Sequence, residues 1–169
     1  SGAVVIDTAE SLTLNSAETA DQDNDGVVDT VNVTFSDDIN DTTVISAIEA
    51  DEFNLRQGTV VGLADGGDND NTVSLNVENV GNTGATDEVT LFSNSIEDTA
   101  GNPGPNGPDG TPVTDGADPV VLSLTVNDTS DGNTASSSLV LNETELPTDV
   151  TINATFSENL DRDPTTIEL

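Results

Sequence analysis

The chain contains one strand pattern twice. Val31–Asn40 reads VNVTFSDDIN, and Ile152–Asp161 returns as INATFSENLD, with Phe35 matched to Phe156. In the first copy Val31, Val33 and Phe35 alternate with Asn32, Thr34 and Ser36. In the second, Ile152, Ala154 and Phe156 alternate with Asn153, Thr155 and Ser157. A period of two marks a strand with one buried and one wetted face. Solenoid repeats recur at much shorter intervals, so this spacing implies two domains in tandem.

Other strands follow from the same pattern. Ala3–Thr8 and Ser11–Asn15 read as strands, or as one strand broken at Ala9–Glu10. Phe53–Arg56, Thr59–Ala64, Thr72–Val77 and Glu88–Phe92 continue the series, with one helical turn around Thr43–Ile48 capped by Asp41 or Thr42. A long Gly/Pro/Asn loop, Asp98–Asp115, closes the first copy. Strands about ten residues apart with turn chemistry between them predict an all-β fold, an immunoglobulin-like β-sandwich over residues 1–116. Phe35, Phe53 and Phe92 are its expected large core residues. A second, incomplete sandwich is expected over residues 117–169, from Val120–Val126, Ser138–Leu141 and Val150–Ser157. That is too little chain to close a sandwich, so further chain or a neighbouring molecule is expected to complete it.

Charge limits the setting in which such a fold can hold. The 169 residues carry a net charge of -31, with Arg56 and Arg162 the only cations, although 33% of the residues are apolar. Self-repulsion on this scale opposes compaction at ordinary salt. At about 1 M salt the screening length falls to roughly 3 Å, and the objection largely lapses. The expected habitat is therefore strongly saline. The same charge argues against nucleic acid, which needs a basic footprint, and equally against anionic membranes. No cysteine is present, and no apolar run approaches the length of a membrane-spanning helix. A start at Ser1, without a charged-then-apolar leader, fits a mature or excised portion of a longer precursor.

The candidate metal ligands are Asp21, Asp23, Asp25 and Asp29, in the pattern D-x-D-x-D-G-x-x-D. Calcium takes six to eight hard oxygen ligands, and alternating short carboxylates ahead of a turning glycine, here Gly26, can wrap one ion. The twelfth loop position is Asn32 where a helix–loop–helix site needs a bidentate glutamate, so remaining ligands must come from elsewhere, such as Glu18. An acidic, salt-adapted turn that binds nothing is the alternative. Asp98, Asp115 and Asp118 flank the interval between the copies, but spacing alone does not bring them together. Candidate glycosylation positions are Asn32, Asn40, Asn127, Asn142 and Asn153, a count close to what chance gives. Without His, Cys, Lys or Tyr, a nucleophile has no base except a carboxylate, and no Trp or Tyr offers a sugar platform. The chain is not expected to be an enzyme.

The acidic loop leading into VDTVNVTFSDDI, and later TFSENL, resembles the opening of bacterial and archaeal Ig-like repeats. Ser95–Pro103, SIEDTAGNP, resembles their closing segment, and Asp115–Val121, DGADPVV, their spacer. Such repeats belong to S-layer and other cell-surface glycoproteins, including haloarchaeal ones. The second copy departs from the pattern, with DTSDGN at Asp128–Asn133 in place of the acidic loop. The resemblance implies an extracellular, architectural module that is often calcium-stabilised and often glycosylated; unpaired edges, or acidic faces bridged by cations, are expected to join copies into a lattice or filament. An adhesin, or a virus spike or fibre module, is the alternative function.

Overall fold

The computed structural model describes residues 11–49, 53–64, 69–85, 87–91, 96–104, 110–128 and 150–160. Among the described residues nine strands and one helix run in the order β1 (Leu14–Ala20), β2 (Thr30–Phe35), α1 (Asp41–Glu49), β3 (Phe53–Leu55), β4 (Thr59–Leu63), β5 (Thr72–Glu78), β6 (Asp87–Leu91), β7 (Thr111–Thr114), β8 (Val121–Asp128) and β9 (Val150–Phe156). The first seven strands pair in the order β3-β6-β7-β1-β2-β5-β4. All neighbours are antiparallel except β1 and β7, which run parallel through Ala17↔Val113 and Glu18↔Thr114.

That order is the strand order of an immunoglobulin constant-type sandwich. β1, β2, β5 and β4 form one layer, β7, β6 and β3 the other, and the β1–β7 pair joins them along one side. The core lies between the layers. Val31, Val33 and Phe35 of β2 are fully buried there, as the alternation predicts, beside Ala17, Val73, Leu75, Val77, Phe53, Leu55 and Val113. Phe92 lies outside the described residues.

Three elements differ from the sequence expectation. The first strand runs on to Ala20, because Ala17 and Thr19 are buried while Ser16 and Glu18 face outward. Small and hydroxylated side chains satisfy the inward positions without raising the local hydrophobicity. The long loop contains β7, held by β1 on one side and β6 on the other, with Val113 as its buried contact. The helix spans nine residues instead of one turn, and its cap is Asn40. The Asn40 Oδ1 accepts from Thr42 N (3.2 Å) and its carbonyl from Thr43 N (2.8 Å). Asp41 is buried instead, exchanging hydrogen bonds with Asn69: Asn69 N to Asp41 Oδ2 at 3.1 Å and Asp41 N to Asn69 Oδ1 at 3.2 Å.

Among the described residues β8 and β9 form a two-stranded ribbon, apart from the seven-stranded sheet, that reproduces β1–β2 in register. The first pair aligns Leu14 with Phe35, then shifts so that Ser16 meets Thr34. The second aligns Val121 with Phe156, then shifts so that Ser123 meets Thr155. The same clamp closes both bulges. Ser36 N donates to Thr13 O (2.9 Å) and Thr13 N to Ser36 Oγ (3.0 Å). Ser157 N donates to Val120 O (2.9 Å) and Val120 N to Ser157 Oγ (2.9 Å). The strand expected at Ala3–Thr8 and that at Ser138–Leu141 lie outside the described residues.

The copies differ in what covers them. Phe35 is 0% exposed, whereas Phe156 is half-buried and Leu124, which takes the place of Ala17, is 54% exposed. Truncating Phe35 to Ala therefore deletes a filled core position and is expected to cost about 3–5 kcal/mol. Phe156→Ala is expected to cost less than half as much. Thermal unfolding of the two variants in concentrated salt checks this, and equal losses would contradict the asymmetric burial.

Candidate functional site

The acidic loop connects β1 to β2 at the end of the sandwich from which β8 departs. Its shape is set by carboxylates accepting backbone N–H groups. Asp21 receives Gly26 N at 2.8 Å and Asp25 N at 3.3 Å, while Asp23 shares the latter at 3.2 Å. Asp25 receives Val27 N at 2.9 Å, and Asp29 receives Gln22 N at 3.1 Å and the Thr30 hydroxyl at 2.9 Å. Asn24 (φ 58°) and Gly26 (φ 91°) adopt left-handed backbone, which lets so short a segment reverse direction.

Of the expected ligands, the fold brings Asp21, Asp23 and Asp29 together, with one oxygen of each within 4.8 Å of the others. Asp25 stands outside that group and closes its own turn on Val27. Glu18 is directed elsewhere, over Gly116, where a Cβ would fall 2.1 Å from the Glu18 Cγ. Desolvation in the loop, and then the charges of Asp25, Asp29 and Asp21, push the Asp23 carboxyl above its ordinary value, with the Asp25 N–H opposing them. Three hard, like-charged oxygen donors at this spacing fit the ligand chemistry of calcium.

The loop also forms part of a joint. Gly26 faces the ribbon so closely that a Cβ there would come within 2.6 Å of Leu122 Cδ2 and 3.1 Å of Ser157 Cβ. Beside it the Asn82–Gly84 turn reaches Ser157 directly: Asn82 Nδ2 donates to Ser157 O at 2.6 Å, and the Thr83 and Ser157 hydroxyls share a hydrogen bond. Thr83 and Ser157 are both buried. The Asn82–Gly84 turn was invisible as a functional element in the sequence, because nothing in Asn-Thr-Gly distinguishes it from an ordinary turn. Near the joint an open cleft of about 370 Å³ is lined in part by Asp115, Asp118 and Glu158.

Asp98 lies at the opposite end of the sandwich from Asp115 and Asp118. Its backbone bridges Ile39 just beyond β2, whereas Asp115 follows the end of β7 beside Glu18. Its carboxylate is occupied by Ala100 N (2.8 Å), Asn102 N (2.8 Å) and Asn102 Nδ2 (2.7 Å), around a turn in which Gly101 is left-handed (φ 85°). The D-T-A-G-N segment is thus a carboxylate-centred turn. The Asn102 N–H foremost, then its side-chain amide and the Ala100 and Gly101 N–H groups, hold the Asp98 carboxyl below its usual range against the effect of burial.

The asparagines of the sequons occupy unlike places. Asn153 is exposed, while Asn32 is half-buried and accepts from Ser74 Oγ at 2.7 Å. Asn40 caps α1, Asn127 pairs with Thr151 in the ribbon backbone, and Asn142 lies outside the described residues.

No family model matches the chain, and no curated protein matches it significantly. Three solved structures are similar to it. The S-layer protein rSbsC(31-844) covers 70% of this chain and 15% of its own length at a TM-score of 0.49. Domains 1-6 of surface layer protein SbsC cover the same shares at 0.47. The N-terminal part of the bacterial S-layer protein SbsC covers 88% of this chain and 41% of its own at 0.47. Each is 18% identical, and the chain spans less than half the length of any of them. Among the described residues no helix is long and apolar enough to cross a membrane.

The Asp98 turn gives a pH-dependent expectation. A carboxyl whose folded value is depressed stabilises fully above its unfolded value, about 3.9, and loses that contribution as pH falls through the folded value. Asp98→Ala strands three donors and is expected to cost about 2 kcal/mol at neutral pH. The gap to the unmodified chain should narrow below about pH 4, measured by denaturant unfolding in concentrated salt. A gap that does not change with pH would rule out the carboxylate as its source.

Proposed function

We propose that this chain is part of an extracellular, load-bearing array of a halophilic organism. Immunoglobulin-like repeats, divided at Gly116–Ala117, act as rigid spacers, and calcium at the Asp21–Asp29 loop reinforces the joint between them. The array stands at the cell surface as an S-layer or surface filament and associates with itself there. It performs no catalysis.

The joint at Ser157 carries this reading. One residue closes the bulge of its own ribbon and, with the same hydroxyl, bonds the Thr83 turn of the preceding sandwich. Successive repeats coupled through a shared buried hydrogen bond resist bending at the point where flexible linkers would otherwise bend. The acidic surface supports the saline setting, and the convergence of Asp21, Asp23 and Asp29 beside the joint supports calcium as the reinforcing ion.

Thr83→Val removes the shared bond but leaves the clamp between Ser157 and Val120 in place. In about 3 M NaCl, where screening is nearly complete, small-angle scattering of the unmodified chain should report one rigid outline. The variant should show a broadened distribution of intramolecular distances. An unmodified chain that already scatters as two loosely tethered bodies would defeat the spacer reading.

Calcium is tested by titration calorimetry in the same salt. Binding should be saturable and weakened about tenfold or more by Asp23→Asn, equivalent to about 1.4 kcal/mol. Asp25→Asn, altering a carboxylate outside the group, should change it little. Absence of heat from the unmodified chain would remove calcium from the proposal.

A further inference from the structure

Ser36 and Ser157 hold the same place in the repeated strand and sit in the same clamp, yet they differ in cover. Each hydroxyl accepts a backbone N–H from the start of the paired strand, Thr13 N for Ser36 at 3.0 Å and Val120 N for Ser157 at 2.9 Å. A hydroxyl that accepts in this way keeps its own proton and a second lone pair for a further partner. At Ser157 that partner is the Thr83 hydroxyl of the preceding sandwich, and the carbonyl of the same residue accepts from Asn82 Nδ2 at 2.6 Å. Under that turn Ser157 is 4% exposed, whereas Ser36 is exposed.

The surroundings of the two serines correspond as well. Counted from the bulges, Thr13, Asn15 and Asp37 hold the places of Val120, Leu122 and Glu158. In the second copy two of these places meet glycines. A Cβ on Gly26 would fall 2.6 Å from Leu122 Cδ2, and one on Gly84 would fall 2.8 Å from Glu158 Oε2. Thr13, Asn15 and Asp37 are all exposed. We propose that the Ser36 face is a second docking surface, and that it takes the loop end of another repeat of this kind. The existing joint identifies that partner: an Asn-Thr-Gly turn to bond the serine, with a left-handed loop glycine beside it. Asn15 and Asp37 reach no farther than Leu122 and Glu158, so they fit against the same two glycines.

Ser36 directly follows β2, whereas Asn82 bridges Val27 ahead of β2, so the serine face and the turn lie at opposite ends of the sandwich. Repeats of this form join head to tail, one patch of each meeting the other patch of the next. Both ends are acidic, with exposed Asp37 and Asp38 at one and the Asp21–Asp29 loop at the other, so the contact needs concentrated salt. This inference rests on the spacer reading and deepens it, by naming the surface on which a further repeat docks.

The natural chain can be given this face at its existing joint. Val120→Thr, Leu122→Asn and Glu158→Asp together surround Ser157 with the neighbours of Ser36 and leave the serine itself unchanged. The chain has no cysteine, so spin labels at Thr59→Cys and Ser123→Cys report the distance across the joint. In about 3 M NaCl the triple variant should keep the single narrow distance of the otherwise unmodified chain, and adding Thr83→Val should broaden it. A triple variant already as broad as Thr83→Val would overturn the proposal. A second chain carries residues 1–117 ahead of residues 11–169, which places a first repeat before Ser36. Labels at Thr59 of the leading repeat and at Ser16 of the next, the equivalent of Ser123, should give that same narrow distance. A broad distance there would overturn the proposal too. Breadth in the natural labelled pair would remove the spacer reading, and this inference with it. A narrow natural pair beside a broad extended chain would remove the docking surface alone.

Discussion

Register between β1 and β2 is the constraint from which the sandwich follows. A strand exchanges its two faces when its pairing slips by one residue. Here such a slip would move Val31, Val33 and Phe35 out of the core and bring Asn32 and Thr34 in. The bulge beside Leu14 is a natural place for that error, since one residue there already goes unpaired. The reciprocal bonds between Ser36 and Thr13 fix the phase immediately beyond it. With only four phenylalanines and no other aromatic residue, the chain has little spare hydrophobicity to correct a misaligned strand. Bulge and clamp recur in the second ribbon, so the pairing follows the repeated local sequence.

Strands with strong inward residues were legible: β2, β5 and β9 alternate visibly, and the second copy announces itself through TFS. The latter half of β1 was not, because alanine and threonine at its inward positions resemble loop composition. β7 was hidden by proline and glycine, and partners distant in sequence specify it. The helix cap falls at Asn40, one residue before Asp41 and two before Thr42, because these three consecutive residues are all good caps. Burial of Asp41 against Asn69 decided among them, and a sequence does not display that contact. The acidic loop was legible as a candidate, but which carboxylates converge depended on Asp25 being taken by its own turn.

Scarcity of cations shapes how this chain uses its acids. With two arginines against 33 carboxylates, ion pairs cannot organise the surface. The described carboxylates of Asp21, Asp25, Asp29 and Asp98 instead accept backbone N–H groups and build turns. This use costs little side-chain entropy, because aspartate is short, and it supplies acceptors to backbone that no strand satisfies. In the acidic loop, Asp21 and Asp29 accept these bonds while one oxygen of each still lies within 4.8 Å of an Asp23 oxygen.

The parallel pairing of β1 with β7 has a mechanical consequence. A pull applied between the start of β1 and the end of β7 would act at opposite ends of two adjacent strands. Their hydrogen bonds, with Thr114 Oγ1 donating to Ala17 O at 3.1 Å alongside, are loaded together in shear. Had the strands run antiparallel, both points of traction would lie at one end, and the bonds would break in succession. In this threading, strand direction therefore decides whether the bonds between β1 and β7 share a pull or meet it one at a time.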